Sequence, residues 1–112
     1  MARTGRFRVQ WAETARADLQ SIVEYIAEDD IHAARSVLAK LQQTAQALAI
    51  MPLRGRVVPE LGAFGIQVYR ELVVPPWRIV YRISAKTVSV LAVVDSRRNL
   101  EDLLLERFMR NP

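Results

Sequence analysis

Residues 66–84 read IQVYRELVVPPWRIVYRIS, and this stretch decides the fold. Two runs rich in β-branched and aromatic residues, 66–73 and 77–84, lie on either side of Val74-Pro75-Pro76. Runs of this composition favour strands, and strands joined by so short a connection are antiparallel neighbours. The stretch therefore predicts a β-hairpin.

Further strand signals lie before and after this hairpin in the sequence. Residues 87–95 (TVSVLAVVD) predict a third strand after a tight turn near Ser84-Ala85-Lys86. Residues 7–11 alternate between apolar and polar positions, which is the period of a short strand. Residues 52–65 contain two prolines and three glycines, and they predict a loop.

Two amphipathic helices separate the first strand from the hairpin. Apolar residues recur every three or four positions over 13–28 and again over 31–50. Tyr25 falls in this apolar pattern and is predicted to lie in the core. Asp30 is the predicted N-cap of the second helix, which ends before Pro52. Asn99, followed by acidic residues and an apolar stripe, predicts the start of a C-terminal helix.

The predicted order is β-α-α-β-β-β-α. This order defines an α+β fold, in which a helical hairpin packs on one face of a small twisted antiparallel sheet. A chain of 112 residues fits one domain, 1–112. Because 51% of the residues are apolar, this domain can bury a core without disulfides or metals.

The amino-acid composition excludes several kinds of catalytic and metal-binding site. The chain has no cysteine, and its one histidine, His32, is predicted to lie on the surface. Thiol chemistry and a zinc site built from imidazoles are therefore excluded, and we expect no cofactor. No apolar run reaches the length of about 20 residues that a spanning helix needs. The basic start is not followed by an apolar segment, so we expect a cytoplasmic protein without membrane contact.

The net charge of +4 is unevenly distributed. Residues 1–53 carry six basic and six acidic side chains, whereas residues 54–112 carry ten and six. Fourteen of the sixteen basic residues are arginines, whose planar guanidinium suits phosphate and carboxylate partners. The composition therefore favours a nucleic-acid or acidic-protein surface. A general preference for arginine in a GC-rich genome is the alternative.

Several arginines are predicted to share one face of the hairpin. If the strands pair symmetrically about Pro75, Arg70, Arg78 and Arg82 lie together, since diagonal neighbours are about 7–8 Å apart. Arg97 and Arg98 follow the third strand and would reach the same rim. The opposite face is the predicted core face, with Tyr69, Val73, Trp77, Ile79, Tyr81 and Ile83. The clustered arginines would bind an anion or carboxylate; the alternative is a surface network with Glu60, Glu71 and Asp95.

The sequence resembles the ParE/RelE superfamily of toxins from type II toxin–antitoxin systems. The resemblance covers residues 7 to 108, and the order and spacing of its motifs carry it. The motifs are Ala15, Asp18-Leu19, Ile22 and Tyr25-Ile26 in the first helix, the loop motifs Pro52, Gly55-Arg56 and Pro59-Glu60-Leu61, Arg70-Glu71-Leu72, WRIVYRI at 77–83 and VVDSRRNL at 93–100.

The resemblance implies a cognate antitoxin as partner, whose C-terminal segment wraps the toxin. It also implies a homodimer, or a heterotetramer with antitoxin, as candidate assemblies. Its two branches differ in target. A ParE-like toxin inhibits DNA gyrase by binding it, whereas a RelE-like toxin cleaves mRNA on the ribosome. An inactive or retargeted basic binding module is a third reading.

The nuclease branch would draw on Arg70, Arg78, Asp95 and Arg97. Relatives of that branch carry a tyrosine on the terminal segment, but the corresponding position near Leu103 is apolar. Asp95 stands where many relatives have histidine, so a general acid–base pair is missing. We therefore predict no catalytic residue and favour a ParE-like gyrase inhibitor. The predicted residues for binding target or antitoxin are Arg70, Arg78, Arg82, Arg97 and Arg98.

Overall fold

The computed structural model describes residues 6–97 and 106–107. The elements are β1 (Arg8–Trp11), α1 (Glu13–Ala27), α2 (Ile31–Gln46) with a 3₁₀ turn at Ala47–Ala49, β2 (Arg56–Val57), α3 (Pro59–Gly62), β3 (Tyr69–Val74), β4 (Trp77–Ser84) and β5 (Thr87–Asp95). The predicted C-terminal helix from Asn99, its residue Leu103 and the predicted binding residue Arg98 lie outside the described residues. Within the described ranges, no helix has both the length and the apolar character needed to cross a membrane.

The helical hairpin forms as its periodicity predicts. Ala15 and Leu19 of α1 and Leu41 and Ala45 of α2 are buried, so the apolar stripes of both helices face inward. The predicted N-cap Asp30 is confirmed, because its side chain accepts hydrogen bonds from two backbone N–H groups at the start of α2. α1 packs against both α2 and β5.

The strand order is β1-β5-β4-β3-β2, and β3, β4 and β5 form the predicted antiparallel meander. The expectation of a wholly antiparallel sheet was wrong, because β1 pairs in parallel with β5 and the sheet is mixed. Alternation predicts that 7–11 is a strand, but it does not specify the partner. Only a tight turn forces antiparallel pairing, and the connection from β1 to β5 contains both helices.

The predicted register of the hairpin was also wrong, by one residue. Val74 pairs with Trp77, so Pro75 and Pro76 alone form the turn. Arg70 consequently pairs with Tyr81, and Arg78 pairs with Val73. Because side chains alternate along a strand, a shift of one residue moves one strand's side chains to the opposite face relative to the other strand.

Two apolar clusters lie on the two faces of the sheet. The main core packs between the sheet and the helical hairpin, and its buried members include Leu41, Leu48, Ile79, Tyr81 and Val90. Trp77, Ile79, Tyr81 and Ile83 lie on this face as predicted. Tyr69 and Val73 belong to the opposite face; Leu72 and Val74 take their places in the main core.

The second cluster lies beneath the segment that was predicted as a loop. Residues 52–65 contain the short strand β2 and the single-turn helix α3, so that prediction was incomplete. Val58 and Leu61 are fully buried against Val80 and Ala92 of the sheet. Burial of these two apolar side chains holds the segment in place despite its glycines and prolines.

Candidate functional site

The predicted arginines do not converge. Arg70 lies on the face that carries the helical hairpin, and its Nη1 donates to the carbonyl oxygen of Gly55 at 2.6 Å. Arg78 lies on the opposite face, where it bonds two carboxylates. Arg82 shares that face but is exposed. The one-sided cluster expected from sequence is therefore wrong, because it depended on the incorrect register.

A buried carboxylate organises the second face. Glu71 has a fully buried side chain. Its Oε2 accepts from Arg56 Nε at 2.7 Å, and its Oε1 accepts from Arg78 Nη1 at 3.2 Å. The same Arg78 nitrogen donates to Glu60 Oε1 at 2.9 Å. We call these four residues, Arg56, Glu60, Glu71 and Arg78, the Glu71 network.

The Glu71 network fixes β2 and α3 to the sheet. Arg56 belongs to β2, and Glu60 belongs to α3. A buried carboxylate is costly unless charged partners satisfy its oxygens, and here both oxygens are satisfied. The alternative reading from sequence, in which arginines pair with Glu60 and Glu71, is thus the correct one for Arg78. The sequence did not indicate that Glu71 is buried.

Neighbouring charges shift two pKa values in this network. Burial tends to raise the pKa of Glu60, but the hydrogen bond from Arg78, a backbone hydrogen bond and the charges of Arg78 and Arg56 outweigh it, so the pKa is lowered. The hydrogen bond to Glu60 is the main cause that raises the pKa of Arg78. Both groups are therefore charged at neutral pH.

Acidification should weaken the fold partly through Glu60. A carboxyl whose pKa is lower in the folded state adds stability above its unfolded pKa, near 4.5, and loses it as pH falls through the folded value. The variant Glu60→Gln should therefore lose less stability than the parent between about pH 5 and pH 3. The difference should be under about 1 kcal/mol, because 29% of the Glu60 side chain is exposed and solvent screens the pair. Urea denaturation at several pH values measures it; parallel curves for the two proteins would contradict this assignment.

A second buried group anchors the loop before β2. Tyr81 is fully buried; its hydroxyl donates to the carbonyl oxygen of Pro52 at 2.8 Å and accepts from the N–H of Gly55 at 2.9 Å. Burial raises the pKa of Tyr81, so the hydroxyl remains protonated and able to donate. Together with the bond from Arg70 to Gly55, these contacts tie residues 52–55 to the centre of the sheet.

Asp95 and Arg97 pair with each other at the end of β5. Arg97 donates from its backbone N and from Nε to Oδ1, and from Nη2 to Oδ2 at 2.6 Å. The hydrogen bond that Arg97 donates to Asp95 is the main cause that raises the pKa of Arg97. Both carboxylate oxygens are thus engaged by the guanidinium of Arg97, whose side chain is 80% exposed to solvent. To act as a proton acceptor, Asp95 would first have to lose its hydrogen bonds from Arg97.

A groove of about 590 Å³ lies between α1 and the ends of β4 and β5. Tyr25, Ile26 and Trp77 line it on the apolar side. At its polar side Asp18 accepts from the backbone N–H of Val93 at 2.9 Å and from both terminal nitrogens of Arg107. Asp18 could be identified from the sequence only through the family resemblance, because a single acidic residue on a helix forms no distinctive pattern.

The remaining sequence predictions divide in two. His32 is exposed, as predicted. Tyr25 was predicted to lie in the core, which is wrong, because 76% of its surface is exposed beside the groove. Among residues 6–97 and 106–107, no three acidic, histidine or cysteine side chains lie close enough together to hold a metal ion.

Comparisons with known proteins establish the family. Residues 9–100 match the family described as "ParE toxin of type II toxin-antitoxin system, parDE". "Putative toxin Y4kP" of Sinorhizobium fredii is 35% identical over 101 residues, which cover 88% of this chain and 98% of the relative. This chain therefore belongs to the ParE toxin family, within the ParE/RelE superfamily.

Two solved structures share the fold. A chain of the chromosomal ParDE system from P. aeruginosa superposes with a TM-score of 0.66 at 18% identity, covering 81% of this chain and 97% of the other. A chain of the RelBE2 toxin–antitoxin complex from Mycobacterium tuberculosis gives 0.61 at 24% identity, covering 85% and 97%. These likenesses confirm the predicted α+β architecture of helices on one face of a small sheet.

Proposed function

We propose that this toxin acts by binding DNA gyrase and not by cutting RNA, and that a cognate antitoxin neutralises it in the cytoplasm. One observation carries the proposal. The four residues on which a nuclease would draw, Arg70, Arg78, Asp95 and Arg97, are divided between separate places and are already bonded within the chain.

Cleavage of RNA by its own 2′-hydroxyl needs a base, an acid and cations around one phosphorus atom. Arg70 and Arg78 lie on opposite faces of the sheet, so they cannot contact the same phosphate. Arginine stays protonated at neutral pH and is a poor base. The sequence after residue 97 contains neither histidine nor tyrosine that could supply the missing group. A binding toxin needs none of these residues in catalytic geometry.

An antitoxin partner is proposed from the relatives and from the surface. One solved relative is described as a toxin–antitoxin complex, and this chain is basic, with a pI of about 10.1. Of the predicted binding residues, Arg82 and Arg97 are exposed, whereas Arg70 and Arg78 are committed to internal contacts. We therefore assign Arg97 to antitoxin or target contacts and keep Arg82 for the target complex of gyrase with its DNA. Arg98 stays a prediction.

The test compares the two targets directly. Purified toxin should inhibit supercoiling by gyrase, and it should leave mRNA intact on programmed ribosomes. Asp95→Asn should keep inhibition within about threefold of the parent, since a binding toxin does not need a base there. Arg97→Ala with Arg98→Ala should weaken the toxin whichever target is correct, and it serves as the positive control.

The opposite result in the two assays would favour the alternative function, which is cleavage of mRNA on the ribosome. Cuts in the ribosomal A site without an effect on supercoiling would assign a RelE-like endoribonuclease. Loss of that cleavage in Asp95→Asn, with retention of structure by circular dichroism, would then identify Asp95 as its base. Inactivity in both assays, with the fold intact, would reject the gyrase proposal and favour a retargeted binding module.

A further inference from the structure

Within residues 6–97 and 106–107, only one half of the sheet face away from the helical hairpin is covered. The segment 58–66 packs over Val80, Ala92 and Val94 at one end of that face. At the other end, β1, β5 and β4 lie side by side. Their alternate residues Val9, Ile83, Val88 and Val90 face the main core. The intervening residues therefore face outward, on the uncovered half.

These outward residues form two rows across three strands. One row is Arg82, Ser89 and Gln10, and the other is Ser84, Thr87 and Arg8; the pairing of β4 with β5 and of β5 with β1 fixes both. We call these six residues the open-face patch. Strands are about 4.8 Å apart and alternate residues about 6.7 Å apart, so the backbone positions span roughly 10 by 7 Å.

The chemistry of the open-face patch is that of an anion-binding surface. It has two guanidinium groups, three hydroxyls and one amide, and it contains no carboxylate. Gln10 Nε2 donates to Ser89 Oγ at 3.2 Å. Arg8 and Arg82 are exposed and form no ion pair with any described residue. Four other described arginines, Arg56, Arg78, Arg97 and Arg107, each bond a carboxylate. Arg16 and Arg35 on the helices resemble Arg8 and Arg82 in forming no ion pair with a described residue.

The segments that carry the open-face patch are basic. Segments 6–12 and 82–94 contain four basic residues, Arg6, Arg8, Arg82 and Lys86, and no acidic residue. No carboxylate from these two segments therefore offsets the positive charge of the patch.

We propose that the open-face patch binds the phosphate backbone of duplex DNA. Arginine, serine, threonine and glutamine side chains are the usual donors to phosphate oxygens. No aromatic residue occupies the six positions, so the surface lacks the stacking platforms with which proteins hold single strands. The choice of DNA rests on the proposed gyrase target, whose substrate is duplex DNA. The contact is independent of base sequence and sensitive to salt.

Fluorescence anisotropy tests the contact with purified toxin and labelled 20-base-pair duplexes of unrelated sequence, at several salt concentrations. The double variant Arg8→Gln, Arg82→Gln should bind about tenfold more weakly or worse. It should also reduce the slope of log affinity against log salt by about 1.8, at roughly 0.9 per phosphate contact. Ser89→Glu, which places an anion at the centre of the patch, should lose binding to a similar extent.

A matched control removes the same charge elsewhere. Arg16→Gln with Arg35→Gln changes two exposed arginines on α1 and α2, and it should leave affinity within about twofold and the slope unchanged. Circular dichroism and melting temperature confirm that each variant is folded. An equal loss of DNA affinity in both double variants would show that the effect depends only on the net charge of the protein, and it would overturn the proposal.

Other probes decide the partner. Tighter binding of the single strand than of the duplex would overturn the proposal. Binding of poly-glutamate in place of DNA, if it depended on Arg8 and Arg82, would also overturn the proposal. It would show that the open-face patch binds an acidic protein. Gyrase is absent from this assay, so failure to bind DNA would reject the contact between the open-face patch and DNA. The proposed inhibition of gyrase would still be decided by the supercoiling test alone.

Discussion

Replacement of Glu71 by alanine is expected to lower the free energy of unfolding by about 3–5 kcal/mol, the range for removing one partner of a buried ion pair. The Glu71 side chain is fully buried, and only 14% of the Arg78 side chain is exposed. Without Glu71, Arg78 keeps a single carboxylate partner, Glu60, and the protein interior must accommodate a cavity. Arg56, with 58% of its side chain exposed, loses less because water can replace its partner.

Urea denaturation followed by circular dichroism measures this loss. Glu60→Ala is the matched control, since it removes the half-buried carboxylate of the same network and should cost under about 1 kcal/mol. The double variant Glu71→Leu, Arg78→Met should recover much of the lost stability, because apolar side chains of similar volume often replace a buried pair at little cost. Equal losses for Glu71→Ala and Glu60→Ala would show that Glu71 does not organise this face.

The periodic elements of the fold could be predicted because local sequence determines them. The helical stripes over 13–28 and 31–50, the N-cap Asp30 and the three-strand meander all depend on residues close together in the chain. Their boundaries in the structure differ from prediction by a few residues, chiefly where α2 ends at Gln46 and a 3₁₀ turn follows. Local spacing contains the information that these elements require.

The register of β3 against β4 could not be read in the same way. Both strands carry apolar residues at even and odd positions, with Leu72, Val73 and Val74 in direct succession. Either face could therefore serve as the core, and the length of the turn decides between them. A turn of two residues instead of three moved Arg70 and Arg78 to opposite faces, and the predicted arginine cluster disappeared with it.

Residues whose role depends on distant parts of the chain were the other failures. The parallel pairing of β1 with β5 joins segments almost eighty positions apart. Tyr25 fits the apolar stripe of α1 in sequence, but it lies beside an open groove near the end of the helix. Glu71 looks like an ordinary strand carboxylate until α3 and β2 cover it. No local pattern distinguishes these cases, because burial is a property of the assembled fold.

Replacement of Gly55 by alanine is the second large effect that we expect, at about 3 kcal/mol of lost stability. A Cβ atom at this position would lie 2.5 Å from the backbone oxygen of Glu71 and 2.6 Å from the hydroxyl oxygen of Tyr81. Neither can withdraw easily, because the first belongs to β3 and the second to a fully buried ring. Overpacking of this kind costs typically 1–3 kcal/mol, and loss of the Gly55–Tyr81 hydrogen bond adds about 1–3 kcal/mol.

Thermal and urea denaturation of a small set of variants separate these contributions. Gly62→Ala is the matched control, since its Cβ would meet only a methyl group of Val57, at 3.4 Å, and should change stability by less than about 0.5 kcal/mol. Tyr81→Phe removes one obstructing oxygen together with its hydrogen bonds to Gly55 and Pro52. Gly55→Ala and Tyr81→Phe should therefore destabilise less in combination than the sum of the single changes, because they share one contact. Strict additivity, or a Gly55→Ala protein as stable as Gly62→Ala, would mean that the loop before β2 is not held by this close approach.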